Sequence, residues 1–182
     1  MHHLLFMCRI ALASMFALAG LGKLANRDAF ASFVASLGPF GVPAGLATRP
    51  VGALIVAAEL GATAALVCVP LAGGALAAAL LAGFALGIVH VLRSGRAVRC
   101  RCFGAAGATV GRSHLARNLA LAALALAVAA LAPSHPLSFT GRPDAIIAAL
   151  VGLGLGALIT RWDDLVFLFG TTSPGTSRRS SP

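Results

Sequence analysis

Arg99-Cys100-Arg101-Cys102-Phe103-Gly104 gathers two thiols, two fixed cations and a turn residue into six positions of a chain that is 59% hydrophobic and only 10% charged. The thiolate is the form of cysteine that attacks disulfides, and adjacent cations favour it. Arg99 and Arg101, with Arg96, Arg112 and Arg117 extending the field, therefore favour reactive sulfur at Cys100 and Cys102. Cysteines one residue apart close only a small, strained ring, and strained disulfides are the readily reduced ones. The pair suits electron exchange better than stapling. A basic cytoplasmic loop that happens to hold two cysteines is the plainer reading of the same residues. His90, Cys100, Cys102 and His114 are four metal-capable side chains within 25 residues, but C-x-C lacks the wider cysteine spacing of zinc sites, and no metal is assigned.

The elements that must position this loop are apolar runs at Leu4 to Gly22, Val51 to Val69, Leu71 to Leu92, Leu119 to Ala132 and Ala145 to Thr160. Each approaches the roughly 20 residues that cross hydrocarbon, the last two being short. The expected fold is all-α, a polytopic membrane bundle with a four-helix core, a fifth helix and one interfacial amphipathic helix. It forms a single domain over residues 1–170, with helices near 4–22, 51–69, 71–92, 115–132 and 145–160, followed by a polar, disordered tail at 171–182. The first run reads as a retained helix: Arg9 lies inside it, and Gly20-Leu21-Gly22-Lys23 makes a poor cleavage site.

Five spans put Lys23, Arg27, Arg49, Arg93, Arg96, Arg99, Arg101, Arg112, Arg117, Arg161, Arg178 and Arg179 on one side, with only Arg9 and Arg142 on the other. That asymmetry predicts an outside N-terminus and an inside Cys100 loop, so the net charge of +9 reports topology. Nucleic acid is excluded as a partner, because short loops and 6% aromatic content offer no stacking basic face.

Polar residues inside the spans carry the next set of expectations. Glu59 sits about halfway along the second span, where a lone charge costs several kcal/mol, so it pairs with Arg9 or Lys23, meets a quinone, or bonds a neighbouring helix as a protonated carboxyl. For Arg9, snorkelling to headgroups competes with the Glu59 pair. Asn26 is the expected N-cap of an amphipathic helix, Arg27 to Leu37, whose Phe30, Phe33, Val34 and Leu37 share one face and lid the bundle. Cys8 and Cys68 match in depth at the outer side, as a second thiol pair or as small hydrophobes. Gly73, Gly74, Gly83 and Gly87 read as packing notches, as do Gly152, Gly154 and Gly156. His90 either relays protons for Cys100 or sits among interfacial groups. Ser113 is the expected N-cap of the fourth span, with Ser113 over Arg117 and His114 over Asn118. Trp162 fits the interface belt.

The order of Arg9, Ala19-Gly20-Leu21-Gly22-Lys23-Leu24, the amphipathic piece with Phe30 and Leu37, Glu59, and Arg93 to Arg96 before Cys100-x-Cys102-Phe103-Gly104 and Arg117-Asn118 resembles the methylamine-utilisation MauE family. More broadly it is similar to the DoxX-like redox-associated membrane proteins. The likeness covers about residues 4 to 132, and the C-x-C-F-G loop is its most specific piece. The resemblance implies a multi-pass inner-membrane protein, surrounded by membrane lipid, that supports maturation of a cysteine-rich exported client beside a thioredoxin-like partner. In that role Cys100 and Cys102 carry the chemistry as a thiol-disulfide oxidoreductase, with Arg99, Arg101, His90, Arg117 and Asn118 in support. The family role concerns the periplasm, whereas the charge count puts these thiols inside. Either the arginines serve the thiols and distort the count, or electrons cross the bundle and Cys8 and Cys68 receive them outside. A non-catalytic DoxX-like subunit that scaffolds a partner oxidoreductase is the alternative. A small-solute transporter built on Glu59 would carry inverted internal symmetry, and none is visible.

Overall fold

A bilayer offers no water to backbone N–H and C=O groups, so runs rich in Ala, Leu and Gly close their hydrogen bonds internally as helices. The computed structural model, which describes residues 2–43, 45–95, 110–131 and 143–161, contains six helices and no strand among them. They are α1 (His2–Leu24), α2 (Arg27–Leu37), α3 (Arg49–Cys68), α4 (Pro70–Ser94), α5 (Arg112–Leu131) and α6 (Pro143–Thr160). Four of these, α1, α3, α4 and α5, are long and apolar enough to cross a membrane, while the apolar part of α6, Ile146–Thr160, is shorter. The chain is a polytopic helical membrane bundle.

The packing order follows a closed ring: α1 lies against α3, α3 against α4, α4 against α5, and α5 returns to α1. Leu12, Met15 and Phe16 of α1 meet Ala62 and Leu66 of α3, Ala77 and Leu81 of α4, and Leu121, Ala125 and Val128 of α5 in one core. Leu54, Leu86, Leu126 and Leu150 are exposed on the outer faces, as a hydrocarbon surround requires. The short α2 packs on α1 and α3 and adds a second apolar cluster of Phe33, Leu37 and Val56.

Close approach is concentrated at a few glycines. Gly73 and Gly74 wedge α4 between two partners: a Cβ on Gly73 would fall on the Ala65–Leu66 backbone of α3, and one on Gly74 would lie 2.6 Å from the Ala125 carbonyl oxygen of α5. Gly83 is no notch, since a Cβ there would meet nothing within 4 Å. On α6, Gly152 and Gly156 touch α1 at Met7, Ile10, Ala11 and Ser14, whereas Gly154 faces open space. The expected glycine triplet thus works as a pair, because residues four apart share a helix face and residues two apart do not.

The helix ends explain the connections. Asn26 accepts the Ala29 N–H at 2.7 Å and caps α2, as its side chain predicts. A single residue, Val69, separates α3 from α4, and Pro70 opens α4 in the first turn, where its missing N–H costs nothing. Gly95, at φ 63°, closes α4 in the left-handed region. At α5 the helix begins at Arg112, one residue before the expected cap, so Ser113 lies within its first turn and is not the cap. The His114 Nδ1 accepts the Gly111 N–H at 3.2 Å, a reach-back that satisfies an orphan donor from inside the helix.

Candidate functional site

Lys23 occupies the last turn of α1, and Glu59 lies on the buried face of α3. Gly20 lets the two helices come together, its Cβ position being 3.8 Å from Glu59 Cβ. The Lys23 ammonium then reaches both Glu59 oxygens, at 2.7 and 2.8 Å, and also donates to the Ala19 carbonyl at 3.4 Å. The side chains are 4% and 1% exposed. Phe33 of α2 covers the ammonium, with its ring centroid 5.0 Å away. Of the two partners expected for Glu59, the structure brings Lys23.

Arg9 does something the sequence reading missed. Its Nε and Nη2 donate to the Leu66 carbonyl at 3.1 and 2.9 Å, and Nη2 also donates to the Val67 carbonyl at 3.2 Å. In a continuing helix Leu66 would receive an N–H from residue 70, but Pro70 has none, and Val69 has already left helical geometry at φ −135° and ψ 85°. A guanidinium from α1 therefore caps the negative end of α3. At 4% exposure Arg9 turns to these carbonyls and not to Glu59, which is held by Lys23. A proline just past one apolar run, facing a lone arginine in another, was the legible cue.

A third polar group sits at the start of α5. His114 and Asn118 share its buried face at 5% and 1% exposure, as their spacing predicts, and Asn118 Nδ2 donates to the His114 carbonyl at 2.9 Å. Asn118 Oδ1 has no hydrogen-bond partner among the described residues. Ser113 is exposed and Arg117 half-buried. His90 lies near the end of α4, exposed, with its ring against the backbone of Gly41. Of the other predicted residues, Arg96, Arg99, Cys100, Arg101, Cys102 and Trp162 lie outside the described residues, as does the 171–182 tail.

Compared with known proteins, residues 1–131 match the family model of the methylamine utilisation protein MauE. The chain belongs to the MauE family. A similar curated protein is the methylamine utilization protein MauE of Paracoccus denitrificans, 34% identical over 177 residues, covering 95% of this chain and 88% of that relative. No solved structure matches.

The span matched by the MauE model holds all three polar clusters, the C-x-C segment and both remaining cysteines. In this MauE-family chain Cys8 and Cys68 are free thiols, the first half-buried against the core and the second exposed. Both stand at the Arg9 end of the bundle, and Cys68 lies within electrostatic range of that guanidinium.

Proposed function

We propose that this MauE-family protein is an inner-membrane thiol-disulfide redox protein that supports maturation of an exported, cysteine-rich client, in the setting of methylamine utilisation. The observation that carries the reading is the run Arg99-Cys100-Arg101-Cys102, which alternates guanidinium groups with thiols in the sequence between α4 and α5. The bundle itself supports it. His114 and Asn118, buried where α5 begins, add hydrogen-bonding groups that a merely lipid-filling helix has no use for.

In the reaction, Cys100 and Cys102 lose two electrons and two protons as their S–S bond forms. The disulfide of a thioredoxin-like partner accepts both and becomes a dithiol; the opposite direction reduces the pair at the partner's expense. Arg99 and Arg101 stabilise the attacking thiolate, and His90, Arg117 and Asn118 support proton movement and orientation. The test is alkylation of the membrane-embedded protein before and after reduction. Reduction should expose two further cysteines, both mapping to Cys100 and Cys102, and unchanged labelling counts against the cycle. Cys100→Ser with Cys102→Ser separates chemistry from scaffolding, since a scaffold still rescues client maturation.

A further inference from the structure

Along the outward face of α4, beside α2 and the turn after it, runs an open groove of about 460 Å³. Phe33, Phe40 and Phe84 are among its walls, with Gly83 and Gly87 on the α4 side and His90 at one end. Among the described residues of the lining, His90 is the titratable one. Ser36 commits its hydroxyl to the Phe33 carbonyl at 2.6 Å, which leaves the imidazole as the polar group offered to an occupant.

The dimensions are those of one leaflet. Ala79 and His90 mark the two ends on α4, and the helix between them rises about 16 Å, close to half of a hydrocarbon core of roughly 30 Å. His90 lies one turn from the α4 terminus, and Ala79 lies about three turns further into the helix, toward its middle. The floor at Gly83 is empty, with nothing within 4 Å of where a Cβ would be. Leu86, 72% exposed, stands at the rim, so the groove opens sideways to lipid.

We propose that this groove binds an isoprenoid-type quinone. The ring lies among the phenylalanines with a carbonyl oxygen accepting from His90, and the tail follows Gly83 toward Ala79. Three features select this occupant. Its head is planar and suits stacking on aromatic faces. It is uncharged, and its carbonyls need only a neutral donor, such as one imidazole N–H. A phospholipid head would bring a phosphate into a lining that, among the described residues, holds no lysine or arginine to receive it. The Lys23–Glu59 pair is a poor rival site, because the two charges are engaged with each other, 4% and 1% exposed, and covered by Phe33. The inference goes beyond the thiol reading and does not rest on it.

The test uses the full chain in phosphatidylcholine nanodiscs with an azido-substituted decylbenzoquinone as photoprobe and peptide mapping as readout. Adducts should concentrate on α4 between Ala79 and His90 and on α2, and unlabelled decylubiquinone should compete them away while added phosphatidylglycerol does not. Gly83→Phe fills the floor without striking the fold and should cut labelling by about tenfold or more. Gly83→Leu should act in the same direction. Gly154→Phe, equally open but on α6, should label as the wild type does. His90→Leu should weaken labelling and His90→Gln restore much of it, since an amide still donates. Cys100→Ser with Cys102→Ser should leave labelling intact, so loss of thiol cycling and loss of quinone binding are read separately. Adducts spread evenly over all lipid-facing helices, labelling indifferent to Gly83→Phe, or competition by phosphatidylglycerol would overturn the proposal.

Discussion

The Lys23 ammonium stands 2.7 and 2.8 Å from the two oxygens of Glu59, joining the last turn of α1 to the buried face of α3 beneath Phe33 of α2. Three elements meet at a pair with no net charge, which is how opposite charges are tolerated inside a lipid-embedded bundle. The same contact fixes α2, because its aromatic face needs the ammonium as well as Phe30 and Val34 against Gly52. Glu59 thereby ties α3 to α1 in this fold.

Breaking that pair on one side leaves a buried charge alone, at a cost of about 3–5 kcal/mol, whereas replacing both partners by apolar groups removes the problem. Lys23→Met and Glu59→Gln should each lower stability in detergent, and Lys23→Met with Glu59→Leu should recover most of the loss. Reversible unfolding with a graded denaturing detergent measures this. Additive losses in the double variant would mean that the two side chains act separately.

Arg9 as a helix cap makes a different prediction from Arg9 as a snorkelling cation. Two nitrogens serve the Leu66 and Val67 carbonyls, so Arg9→Leu leaves buried acceptors unpaired and should cost about 1–3 kcal/mol. Arg9→Lys keeps the charge but loses the planar fork, and about half of the cost should remain. A snorkelling residue would tolerate lysine fully. Thermal stability of the three proteins in one detergent decides between the two roles.

Much of the bundle was legible because hydropathy and helix length are properties of runs, and runs survive any detail of packing. The Asn26 cap and the Arg27 to Leu37 helix were legible for a local reason, a short oxygen side chain before an amphipathic stretch. What escaped depends on which faces meet. Gly83 and Gly73 look alike in sequence, yet one lies on the core side of α4 and the other over open space. Lys23 and Arg9 were equal candidates for Glu59 until the α1–α3 register set Thr63 beside the Ala13 carbonyl and Arg9 beside Leu66. Ser113 lost the expected role because the helix starts earlier, at Arg112, and the side chain that serves its entry is His114, whose Nδ1 accepts the Gly111 N–H.

The seat of α6 on α1 is testable by volume. Gly156 and Gly152 lie against α1 carbonyls, and a Cβ at Gly156 would lie 2.6 Å from the Ala11 carbonyl oxygen, so Gly156→Leu must push the helices apart. Overpacking of this kind costs about 1–3 kcal/mol. Gly154→Leu, facing open space, should be neutral or slightly stabilising through helix propensity. Cysteine crosslinking between α1 and α6 should fall in the first variant only. Equal loss in both would show that the contact is not face-specific.

Asn118 separates structure from chemistry at the start of α5. It is 1% exposed, its Oδ1 lacks a partner among the described residues, and such an acceptor costs about 1–3 kcal/mol to bury. Asn118→Leu removes that cost and also the bond to the His114 carbonyl, so stability should hold or rise by about 1 kcal/mol. If the amide serves the thiol segment that enters α5, client maturation should nevertheless drop, the familiar exchange of function for stability. Unfolding midpoints and the yield of disulfide-complete client, measured on the same preparations, check both halves. A variant that matures its client normally would reduce Asn118 to a packing residue, and one that loses stability would show that its single bond outweighs the orphaned oxygen.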